Sequence, residues 1–114
     1  MTDEALLKMV VSALGEKKAE DVVVLDLRKV STFTDYFVIA SGQNQKQLLA
    51  MADAVQEKLR SHSLRPIHVE GYPRQEWILL DYSIFVVHAF TQKTRTFYDL
   101  ERLWGAAVKM EMAR

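Results

Sequence analysis

The chain has no cysteine among its 114 residues. That excludes a disulfide framework, a thiolate nucleophile and any cysteine-bound metal, and it fits a reducing cytoplasm. An excess of either charge is also missing, since 15 basic residues balance 15 acidic ones. An autonomous nucleic-acid binder draws much of its affinity from phosphate neutralisation and so carries a basic surplus. The balance here points to a partner other than bare RNA or DNA. No apolar run reaches the roughly 20 residues of a membrane span. The opening "MTDEALLKMVVSALG" puts acid ahead of its apolar part, whereas a secretory signal begins with positive charge. A soluble, cytoplasmic protein without a membrane partner is expected. Internal repeats, low-complexity blocks and interdomain linkers are absent as well, so the length predicts one domain with a modest core.

What is present is ordinary globular chemistry, 49% apolar and 26% charged. Thr2 is a candidate N-cap, Asp3 and Glu4 suit a helix N-terminus, and Leu6, Leu7, Val10 and Leu14 form an apolar stripe stopped by Gly15. "DVVVLDL" (21–27) and "DYFVIASG" (35–42) read as short strands joined by a loop. Asn44 and Gln47 have capping-box spacing before a helix whose Leu48, Ala52, Val55 and Leu59 recur on one face. "RPIHVEGY" (65–72) reads as a strand, with Pro66 tolerated at its start. "PRQ" turns the chain into "EWILLDY", and "IFVVHAF" follows after a tight connection, which predicts a central hairpin. A last helix is expected over "TRTFYDLERLWG", capped by Thr94, with Phe97, Leu100, Leu103 and Trp104 on one face and Gly105 as its stop. The order α-β-β-α-β-β-β-α predicts an α/β fold: one domain, 1–105, with a tail at 106–114 and a five-stranded mixed sheet carrying helices mainly on one face.

The inventory for catalysis is poor. His62, His68 and His88 do not have metal-ligand spacing, so no metal site is expected. Buried in an apolar strand, His88 reads first as a histidine satisfied by a hydrogen bond. Ser41 and Gly42 stand between a strand and a helix N-terminus, where backbone N–H groups can hold an anion, but there is one glycine and no Walker lysine. There is no G-x-S-x-G elbow, and no D-x-D pair on a strand for two-metal phosphoryl transfer. The alternation in "WILLDY" puts Trp77, Leu79 and Asp81 on one face and Ile78, Leu80 and Tyr82 on the other; in the next strand Ile84, Val86, His88 and Phe90 share a face. With helices on one side only, Trp77 and Asp81 would stand on the bare side. Trp77 is then either plain core or, beside a charge, an interface hot spot.

Four blocks in fixed order carry a resemblance: "TDYFVIASG" (34–42), "VEG" (69–71), "EWILLDYSIFVVHAF" (76–90) and "RTFYDLERLW" (95–104). Together they resemble the ribosomal silencing factor S family, the iojap-like proteins. The resemblance implies a small α/β fold related to nucleotidyltransferases but without their catalytic residues, hence no enzyme and no cofactor. It implies docking on the large ribosomal subunit through large-subunit ribosomal protein fourteen, blocking of small-subunit joining, and lowered translation when nutrients are scarce. Two departures stand out: Ser83 and Ile84 occupy positions where many members have Gly-Asp, and the tail beyond Trp104 is outside the matched pattern.

On that reading Trp77 is the anchor with Leu79 beside it, and Asp81 and Glu70 pair with basic groups of a ribosomal protein. Tyr82 donates at the rim, and His88 lies in the same matching block. Two alternatives stay open: a nucleotidyltransferase-like enzyme built on Ser41, Gly42 and a carboxylate, and a direct ribosomal-RNA-binding module using Lys93, Arg95 and Arg102. The bare sheet face would also suit a homodimer.

Overall fold

The computed structural model describes residues 1–71 and 76–112. The expected turn at Pro73, Arg74 and Gln75 lies outside them. In chain order the elements are α1 (Asp3–Glu16), β1 (Glu20–Asp26), β2 (Tyr36–Gly42), α2 (Gln45–Arg60), β3 (His68–Glu70), β4 (Trp77–Asp81), β5 (Phe85–Thr91), α3 (Gln92–Tyr98), α4 (Leu100–Leu103) and β6 (Val108–Met110).

Local chemistry accounts for the two long helices. The Thr2 hydroxyl accepts from the Ala5 N–H at 3.1 Å, and acidic Asp3 and Glu4 fill the first turn of α1. Asn44 accepts from the Gln47 N–H at 2.9 Å, while the Gln47 side chain reaches back to accept from the Gln43 N–H at 2.7 Å. This is a capping box displaced by one residue from the reciprocal form. Leu48, Met51, Ala52, Val55 and Leu59 then bury one face of α2, as the spacing predicts. Each large side chain among them contributes about 1.5–3 kcal/mol of apolar transfer.

The sheet has six strands in the order β3-β4-β5-β2-β1-β6, one more than the five expected. The extra strand is β6, within the segment read as a tail, and it pairs antiparallel with β1 through Val24↔Met110 and Asp26↔Val108. Only β2 and β5 run parallel; the other pairs are antiparallel. Parallel pairing demands a crossover, and α2 with β3 and β4 supplies it.

The sheet separates two cores. On one face α1 and α2 cover Val24, Tyr36, Val38, Ala40, Ile78, Leu80, Phe85, Val87 and Ala89. The opposite face carries Leu25, Phe37, Ile39, Val86 and Phe90, packed by Trp77, Leu79, Leu100, Trp104 and Ala107. The expected bare side is therefore partly dressed by the C-terminal segment.

That dressing depends on a break the sequence reading did not foresee. The single last helix is instead two short ones, because Asp99 adopts a left-handed conformation at φ 48°. Short polar Asp tolerates that region, and its N–H still closes onto the Arg95 carbonyl at 2.9 Å. The change of axis drops Leu100 and Trp104 onto the sheet but leaves Phe97 79% and Leu103 66% exposed, so the four residues do not share one buried face. The N-cap is Thr91 rather than Thr94.

Candidate functional site

The partly covered face is built in rows across the sheet. Register aligns Glu70 with Leu79, Leu79 with His88, and His88 with Ile39; the next row aligns His68 with Asp81 and Asp81 with Val86. Alternation places Trp77, Leu79 and Asp81 on one side, as read from the sequence, and the register adds Glu70 and His88 to that side. Tyr82 is not with them. It is 8% exposed in the helix-side core, stacked on Phe85 at 5.1 Å, and its hydroxyl has no hydrogen-bond partner among the described residues. Burial pushes the phenol up to about 12. Its alternation parity, with Ile78 and Leu80, put it there, and no rim position is left for it.

His88 is the centre of the face rather than its surface. It is 3% exposed, edge-on to Phe37 at 4.5 Å and parallel to Phe90 at 6.0 Å. The Trp77 Nε1–H donates to His88 Nδ1 at 3.1 Å. An indole N–H can only donate, so Nδ1 is the acceptor and the imidazole proton sits on Nε2, which has no partner among the described residues. Burial pulls the imidazole down to about 3, keeping it neutral and able to accept.

Trp77 is half-buried, an intermediate between the two readings of it. Its ring stacks on Phe90 at 4.9 Å and meets Tyr98 at 4.6 Å. Further along the face Trp104 stands edge-on to Phe37 at 5.7 Å and Phe33 leans on both. Between Trp77 and the β3 edge opens a groove of ≈ 610 Å³, lined by Glu70, Gly71, Glu76, Trp77, Leu79, Thr94 and Tyr98. Gly71 makes its wall possible: at φ 97° an added Cβ would meet the Trp77 carbonyl oxygen at 2.2 Å.

The charges on this face are only partly free. Asp81 is half-buried, and its Oδ1 accepts the Ser83 N–H at 2.8 Å, holding the β4–β5 turn. Exposed Glu70 takes His68 Nε2 at 2.8 Å. Glu76 and Tyr98, both exposed, complete the groove and were missed as site residues; each belongs to a matching block, but only packing shows which residues of a block line a groove.

Of the residues read for a phosphate cradle and a basic patch, Ser41 and Arg95 are turned inward, whereas Gly42 and exposed Lys93 line a separate open groove at the start of α2. Ser41 is fully buried and accepts from Arg95 Nη1 at 2.8 Å, and an added Cβ at Gly42 would press on Leu48 at 2.9 Å. Arg95 is 8% exposed; besides Ser41 it donates to the Asp21 carbonyl at 2.6 Å and to Glu101 Oε1 at 2.9 Å. Asp21 sits in the β1 bulge at φ 50°, and Gln92 donates to its carboxylate at 2.8 Å. The arginine thus ties α3 and α4 to the sheet instead of facing a ligand, and exposed Arg102 pairs with Asp99 at 3.1 Å. Among the described residues no group of His, Asp and Glu is placed to hold a metal ion, and no helix is long and apolar enough to cross a membrane.

Fold and face together define a mixed α/β domain that seals one side of its sheet with helices and builds an aromatic, carboxylate-edged groove on the other. Across residues 1–114 the sequence matches the family model described as "Ribosomal silencing factor during starvation", and the chain belongs to that family. It is 36% identical over 112 residues to the ribosomal silencing factor of Halalkalibacterium halodurans, covering 98% of this chain and 96% of that one. A mouse protein named "Mitochondrial assembly of ribosomal large subunit protein 1" is 33% identical over 101 residues, covering 86% of this chain and 44% of its own. The fold is that of a Chromobacterium violaceum crystal structure, with TM-score 0.89 and 32% identity, covering 100% of this chain and 94% of that one.

Proposed function

We propose that this protein represses translation by occupying the large ribosomal subunit through large-subunit ribosomal protein fourteen, so that the small subunit cannot join. The observation that carries the reading is the family match over the whole chain, with relatives named for ribosomal silencing and for assembly of the large subunit. Such a role needs a docking surface and no reaction, and the protein acts in the cytoplasm without cofactor or catalysis. Glu70, Trp77, Leu79 and Asp81 form the contact surface, with His88 beneath them as support and Tyr82 holding the strand from the other face. A ribosomal protein is typically basic, so carboxylates on a chain of zero net charge steer the encounter without attracting bare RNA.

The test is sedimentation of the purified protein with isolated ribosomal subunits. It should travel with the large subunit and not the small one, and prior addition should lower the yield of joined ribosomes. Equal sedimentation with both subunits, or with neither, would overturn the proposal. Incubation with nucleoside triphosphates and magnesium should give no turnover.

A further inference from the structure

The chemistry of the groove specifies more than a flat apolar contact. The rings of Trp77 and Tyr98, in contact at 4.6 Å between centroids, form one aromatic wall, and Leu79 completes the apolar lining. Two exposed carboxylates, Glu70 and Glu76, line the same groove. Two donors that could face it are turned inward: the Trp77 indole N–H is spent on His88, and the Thr94 hydroxyl donates to the Glu76 carbonyl at 2.7 Å. A second bond to that carbonyl, from the Thr91 N–H at 3.0 Å, fixes the backbone that carries the Glu76 side chain. The groove therefore shows π-faces, two carboxylates and the Tyr98 phenol, a hydroxyl that accepts as well as donates. No cation among the described residues pairs with Glu76, and Glu70 has only the His68 imidazole.

We propose that this groove receives one long cationic side chain, arginine or lysine, projecting from the partner. Its aliphatic stem lies along Trp77 and Leu79 and its charged head rests between Glu70 and Glu76. Long basic side chains bury their stems on apolar surface while keeping the head paired, and a cation beside an aromatic face gains further attraction. An acidic or purely aliphatic side chain would leave both carboxylates facing an unfavourable neighbour. The His88 bond gives the clamp its orientation, because it keeps the indole N–H out of the path of an incoming N–H donor. This proposal rests on the docking reading above, and names the chemistry of the partner residue at that surface.

The direct test needs no ribosome. Titration with N-acetyl-arginine amide, followed by NMR of the ring signals, should shift Trp77 and Tyr98 saturably and leave Trp104 unmoved. N-acetyl-norleucine amide should not reproduce the shifts, and Glu70→Gln with Glu76→Gln should abolish them. A wild-type protein whose Trp77 and Tyr98 signals stay in place, or respond equally to norleucine, overturns the clamp. The second arm uses large subunits: the double variant should bind at least about tenfold more weakly with a flatter salt dependence, as expected when a charge contact is removed. Glu57→Gln, on the helix-covered side, should bind as wild type. If the wild-type protein fails to bind large subunits while the arginine titration succeeds, the docking reading falls and the clamp stands. Normal subunit binding by the double variant overturns the clamp alone.

Discussion

Trp77 and His88 lie diagonally across β4 and β5, and the indole of one donates to the imidazole of the other at 3.1 Å. Diagonal neighbours in an antiparallel pair are within reach of aromatic side chains. The bond makes Trp77 both a wall of the groove and part of the inner packing of the sheet. Trp77→Phe should therefore destabilise by about 1–3 kcal/mol, the cost of leaving buried Nδ1 unpaired. Trp77→Ala should cost about 3 kcal/mol or more, since ring packing goes too. Urea melts followed by circular dichroism measure both, and an unaltered midpoint for Trp77→Ala would refute this packing role.

Acid should weaken the fold through His88. Its native value is about 3 against an ordinary 6.5, so below 6.5 the unfolded chain takes up a proton that the native one refuses. Stability is full above the unfolded value and is lost as pH falls, by about 1 kcal/mol over the first unit and at most about 1.4 kcal/mol for each further unit down to about 3. His88→Asn keeps an acceptor for the indole and removes the titration, so its stability should be flatter over that window. The comparison belongs above pH 5, because the carboxyls of Glu16 and Asp26, held low by hydrogen bonds from Lys58 and Arg28, lose their stabilisation in more acid solution. Parallel pH profiles for the variant and the wild type would show that His88 is not the group responsible.

Removing Arg95 should loosen the C-terminal segment. Arg95→Met strands the Asp21 carbonyl and Glu101 and leaves Ser41 only its bond to Gln92 at 3.3 Å, and breaking such a buried charge contact costs about 3 kcal/mol. Arg95→Lys should recover little, since an ammonium cannot reach three divergent acceptors as a guanidinium fork does. Hydrogen exchange should quicken in α3, α4 and β6 ahead of α1 and α2. Uniform protection across all of them would contradict the latch.

Two turn positions should respond in opposite directions. Ser83 holds φ 72°, a region that favours glycine, so Ser83→Gly should stabilise by about 0.5–1 kcal/mol. Gly71→Ala should lose about 2 kcal/mol or more, because its Cβ would collide with backbone that cannot yield and its φ is positive. Thermal melts of the two variants give the signs.

Sequence alone determined the periodic parts. Leu48, Val55 and Leu59 recur at helical spacing and are buried; Trp77, Leu79 and Asp81 alternate with Ile78 and Leu80 and occupy the opposite face. Those signals are local, because a helix or strand fixes which neighbours along the chain share a side. Family membership was legible for a similar reason, in four blocks whose order survives without coordinates.

Tertiary structure decided everything that depends on what lies across from a residue. Val108–Met110 has no period of its own and becomes a strand only because β1 offers an open edge. The helix break at Asp99 is invisible in spacing, yet it determines that Trp104 covers the sheet while Phe97 faces out. Arg95 reads as a surface charge until Ser41, Asp21 and Glu101 converge on it from residues up to 74 positions away. Glu76 joins Glu70 in one groove only because β4 turns back beside β3. Periodicity assigns a residue to a face, but contacts between distant segments assign it a partner, and the groove is made of such contacts.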